Sequence, residues 1–62
     1  MITNDQELRT TKERIDKLES WLDQIRHTAR PAEFQAVTSG YRLEIERLQT
    51  EVLDYLLQPV AA

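Results

Sequence analysis

The chain has 62 residues, 40% of them hydrophobic and 31% charged, with one Gly, two Pro, no Cys and a formal charge of −3. That length holds one small domain or part of one and argues against a cleft enzyme, while the missing cysteines exclude a disulfide framework and thiolate metal sites. The acidic balance argues against coating a polyanion such as nucleic acid.

The chain opens on the polar stretch Thr3-Asn4-Asp5-Gln6-Glu7, and no apolar run reaches the length of a signal core or a membrane span. A cytoplasmic protein with no membrane attachment is therefore expected. Leu8, Thr11, Ile15, Leu18, Leu22, Ile25 and Ala29 then recur at alternating spacings of three and four, a heptad seam on one helix. Asn4 or Thr3 can cap its start, with Asp5 and Glu7 complementing the positive end of the helix dipole. Pro31 ends it, because Pro lacks the backbone donor and disfavours helical geometry at Arg30. Pro is equally suited to the first position of a new helix, where Glu33 follows in the first turn. The second helix repeats the seam with Phe34, Thr38, Tyr41, Ile45, Leu48, Val52 and Tyr55 until Pro59. Gly40 interrupts nothing in that period, so it reads as a tolerated or close-packed residue rather than a turn. The expected organisation is a single all-α hairpin: helix 1 over about 4–29, a turn at about 29–31, helix 2 over about 31–57 and a frayed tail at 58–62.

Folding one seam onto the other in antiparallel fashion pairs positions whose numbers sum to 63, such as Leu18 with Ile45 and Ile15 with Leu48. The hairpin core expected from this register is Leu8, Ile15, Leu18, Leu22, Ile25, Phe34, Tyr41, Ile45, Leu48, Val52 and Tyr55. The same register brings Arg14 to Glu51 and Glu19 to Arg42 on the flanks. So thin a core leaves apolar residues off the seam: Trp21 and Val37 on one flank, Leu56 on the other, and Leu43, Leu53 and Leu57 further round helix 2. Such residues on solvent form an unusual patch for a monomer. Trp21, Val37, Leu53, Leu56 and Leu57 are the expected contact between hairpins, which associate most simply as a homodimeric four-helix bundle.

The constellations that carry chemistry are missing. A carboxylate bundle site needs inward Glu residues and a Glu-x-x-His pair, and this chain has one His and no such spacing. Asp23 and His27 lie four apart on one helical face but off the seam and without a third ligand, so they read as surface residues. Glu44, Glu46, Glu51 and Asp54 read as a solvated face. No nucleophile triad, phosphate loop or zinc spacing is present, and neither an enzyme activity nor a cofactor or metal is expected. Tyr41 and Tyr55 fall on the inward seam, which favours packing over base stacking. Trp21 beside the seam is the type of residue that anchors a protein interface. Arg9, Lys12, Lys17 and Arg30 are scattered and interleaved with acids, so nucleic-acid contact is not favoured.

Met1-Ile2-Thr3-Asn4, with Arg9, Thr11-Lys12 and Glu19 beyond it, is similar to the start of bacterial Xre-type (HigA-like) antitoxins and transcriptional regulators, which begin like M-I-x-N and continue R-x-T-K. The second half resembles theirs as well: a Pro before the helix, then Arg42-Leu43-Glu44-Ile45 and the run Leu48-Gln49-Thr50-Glu51-Val52-Leu53-Asp54-Tyr55. In that family the helical hairpin precedes a helix-turn-helix domain, which this sequence does not contain up to Ala62. The resemblance implies an oligomerisation or partner-binding element of a toxin-antitoxin or repressor system, with a toxin or repressor protein as partner. In architecture and size the chain also resembles Rop, a dimer of hairpins that binds RNA. A third option is an antirepressor that pairs with a longer homologue through the same interface.

Overall fold

The structure, a computed structural model, describes residues 1–60. Two helices, α1 (Asp5–Thr28) and α2 (Pro31–Leu56), pack against each other as a hairpin, and the described residues contain no strand. The molecule is a rod with extents of 52 × 15 × 13 Å.

The N-terminus of α1 is built as the local sequence demands. Asn4 has extended backbone and its side chain accepts the Glu7 N–H at 2.8 Å, supplying one of the acceptors that the first helical turn lacks. Glu7 reaches back in turn and accepts from the Thr3 backbone N–H at 3.1 Å and the Thr3 hydroxyl at 2.9 Å. This is a capping box displaced by one residue, and it draws residues 1–4 across the end of the hairpin. At the other end of α1, the Ala29 N–H closes the last turn on the Ile25 carbonyl at 2.8 Å. Arg26 there complements the negative end of the dipole.

The reversal takes two residues. Ala29 and Arg30 are both extended, and Pro31 opens α2 while the Arg30 carbonyl accepts the Phe34 N–H at 2.8 Å. No residue of the corner needs positive φ. α2 ends at Leu56, with the Leu57 N–H on the Leu53 carbonyl and Pro59 barring another turn. Of the tail expected at 58–62, Gln58–Val60 lie beyond the helix, and residues 61–62 fall outside the described residues.

The buried cluster on the seam is Ile15, Ile45 and Leu48, with Leu18, Leu22 and Val52 packed against it. Leu8, Ile25, Phe34, Tyr41 and Tyr55 are half-buried along the same seam. The two seam threonines that could have left hydroxyls in the interface do not. Thr11 donates to the Glu7 carbonyl at 2.8 Å and Thr38 to the Phe34 carbonyl at 2.7 Å, so each polar group is satisfied within its own helix.

Gly40 lies inside α2 and is exposed, and a Cβ placed on it would meet nothing within 4 Å. Within the hairpin it is therefore not a close-packing residue. Gly40→Ala should raise stability by about 1 kcal/mol, the ordinary helix-interior difference between the two residues. Thermal unfolding followed by circular dichroism checks this; a lowered melting temperature would show that something outside the hairpin covers that backbone.

Candidate interaction surface

The polar flanks depart from the expected register. Arg14 pairs with Glu44 at 3.4 Å, not with Glu51, and Glu51 instead faces the N-terminal ammonium at 3.5 Å. Glu44 and Glu51 are one heptad apart on the same stripe of α2, so a long Arg side chain can serve either. The folded-back residues 1–4 occupy the Glu51 end. Glu44 also takes Arg47 at 2.9 Å, joining one arginine from each helix on a single carboxylate. Arg42 pairs with Glu46 at 2.9 Å on its own helix and not with Glu19 across the hairpin, because a partner one turn away needs less ordering of the side chain. These pairs are solvent-exposed or half-exposed and contribute roughly 0–1 kcal/mol each.

Ile2 is a core residue that periodicity did not identify. It is only 7% exposed, although it precedes α1 and belongs to neither seam. It stands two residues before the Asn4 cap, one place further out than the position where an apolar residue ordinarily packs back on the first turn, so the cap pointed to it only indirectly. At the same end of the rod, the Tyr55 hydroxyl donates to the Asp5 carboxylate at 2.7 Å, tying the end of α2 to the start of α1. That hydrogen bond raises the Tyr55 pKa above its ordinary value of 10.0, with desolvation and the charges of Asp5 and Glu7 acting in the same direction.

Asp23 and His27 are both engaged within α1. The Asp23 carboxylate accepts from Arg26 at 2.8 Å, and His27 Nδ1 lies 2.7 Å from the Asp23 carbonyl, a contact in which the ring nitrogen is the donor. Among the described residues no three His, Asp or Glu side chains converge as a metal site. No helix among them is long and apolar enough to cross a membrane.

The apolar residues left outside the seam do not form one patch. The Trp21 ring meets Tyr41 edge-on, with centroids 6.2 Å apart and planes at 82°, yet Trp21 is still 54% exposed. Val37, one turn before Tyr41, shares that side. Leu53 is about 160° away from Val37 around α2 at 100° per residue. Leu53, Leu56 and Leu57 are exposed at the open end of the hairpin. On the side away from Trp21, near the corner, a groove of about 940 Å³ is lined by Leu22, Phe34, Thr38 and Ile45, with Glu19 and Arg42 among its polar residues.

No protein-family model, curated protein or solved structure matches the chain.

The Tyr55–Asp5 bond gives a pH dependence of definite sign. A tyrosine pKa raised by folding contributes stability that is complete below the unfolded value near 10 and is lost as pH climbs through the higher folded value. Urea unfolding from neutral to strongly alkaline pH should show the native chain losing more stability than Tyr55→Phe over that window. Parallel curves would show that the bond adds nothing to folding.

Proposed function

We propose that this chain is a non-catalytic protein-interaction module whose working form is a homodimer of hairpins, a four-helix bundle. The observation carrying this reading is its surface. The hairpin exposes 5313 Å². A folded monomer of 7.3 kDa exposes only about 4,200 Å² by the usual scaling of area with mass. The excess of roughly 1,100 Å² is of the size that one partner buries in a standard protein interface, about 800 Å². The exposed surface includes the large apolar side chains Leu43, Leu53, Leu56 and Leu57, all more than half exposed. Burial of such side chains supplies roughly 1.5–3 kcal/mol each when complete, so a second hairpin is the direct way to stabilise the first.

The resemblance to Xre-type regulators extends the proposal to a regulatory role, with a toxin or repressor protein as the dimer's natural partner. The RNA-binding alternative has weaker support, because Arg14, Arg26, Arg42 and Arg47 are each paired with a carboxylate.

Sedimentation equilibrium should give a dimer at micromolar concentration, and the melting temperature should rise with protein concentration, as mass action requires when folding and association are linked. A monomer whose melting temperature is unchanged by dilution would overturn the proposal. Salt-sensitive binding of structured RNA would move the assignment to the nucleic-acid class.

A further inference from the structure

The apolar surplus belongs almost entirely to α2. Among the large exposed apolar side chains, α1 contributes only Trp21, whereas α2 and its cap contribute Val37, Leu43, Leu53, Leu56 and Leu57. A helix that is apolar beyond one stripe is a helix built to be covered on more than one side. α1 already covers the seam side of α2, so the second cover must come against another stripe.

One stripe of α2 connects the groove to the exposed leucines. Ser39, Arg42, Glu46, Gln49, Leu53 and Leu56 follow at alternating spacings of three and four, which keeps them on one face of the helix. The first three line the groove near the corner, and the last two stand exposed at the open end. The concave part and the projecting part of this face are thus at opposite ends, separated by about 25 Å from Ser39 to Leu56 at 1.5 Å per residue.

We propose that the groove is occupied by Leu53 and Leu56 of a second copy of this chain, with the two α2 helices antiparallel about a twofold axis between Glu46 and Gln49. This assignment rests on the self-association proposed above and specifies its geometry. The axis brings Ser39 to Leu56, Arg42 to Leu53 and Glu46 to Gln49 of the other copy. Every contact occurs twice, as an isologous interface requires. At the centre a carboxylate meets an amide donor rather than a like charge. The aliphatic stem of Arg42 can lie along Leu53 while its head stays on Glu46, 2.9 Å away. A parallel arrangement would set leucine on leucine and leave both grooves empty. Trp21 and Val37, on the far side of the hairpin, take no part in this contact.

The absence of native cysteines makes the test direct. Ser39→Cys and Leu56→Cys, both at exposed positions, are prepared as separate chains, mixed and mildly oxidised. The disulfide joining the two variants should predominate over either symmetric product, because disulfide geometry tolerates Cα separations only up to roughly 7 Å and the antiparallel register brings only the mixed pair that close. In parallel, Leu56→Glu should weaken dimerisation by roughly 100-fold, since the twofold counts the loss twice and each buried Leu is worth about tenfold or more. Trp21→Ala should leave the dimer intact. A dimer that links symmetrically through Ser39, or that Trp21→Ala dissociates while Leu56→Glu does not, would overturn this geometry and leave self-association standing. A monomeric native chain in sedimentation would remove both.

Discussion

The fold depends on the peptide unit at Pro31. Proline removes a backbone donor and keeps the preceding residue out of the helical region, so α1 cannot continue through Arg30. Its fixed φ is at the same time suited to the first position of a helix, so α2 starts at once. One residue therefore both stops and starts a helix, and the two extended residues before it turn the chain back on itself. Only after that reversal do the two heptad seams face each other, and only then does Ile15 bury against Ile45 and Leu48.

The hairpin is closed unequally at its two ends. Covalent connection holds the corner end, where the Trp21–Tyr41 pair adds an aromatic contact of a kind worth about 0.5–1.5 kcal/mol. The open end has no connection, and there the chain uses Ile2 folded over the seam and the Tyr55 hydroxyl on Asp5. Between them the core is thin: among the described residues no side chain is fully buried. This links the fold to the proposed function. The proposed second copy would add burial that this seam lacks, and the exposed apolar side chains that could receive it are concentrated on α2.

The two helices and their mutual packing were legible because a three-four alternation of apolar residues has one geometrical meaning, and because Asn4 and Pro31 punctuate it chemically. The ion pairs were less legible. Register places Glu44 and Glu51 on the same stripe but cannot choose between them, and the choice turned on residues 1–4 folding back over the Glu51 end. Ile2 is illegible for a related reason: it precedes the helix, where periodicity carries no information. The groove beside Phe34 was also hidden, since it arises from the space between two helices rather than from either one.

The corner has one more consequence. Ala29 and Arg30 turn without any left-handed backbone, so the reversal calls for no glycine and makes no demand on the length of the arms. The seam is a repeat with a fixed step, and adding or deleting seven residues in one arm and seven opposite them in the other would restore the same facing layers. Such a scaffold can change length in matched increments without redesigning its bend, and its reach becomes an adjustable property separate from its mode of folding.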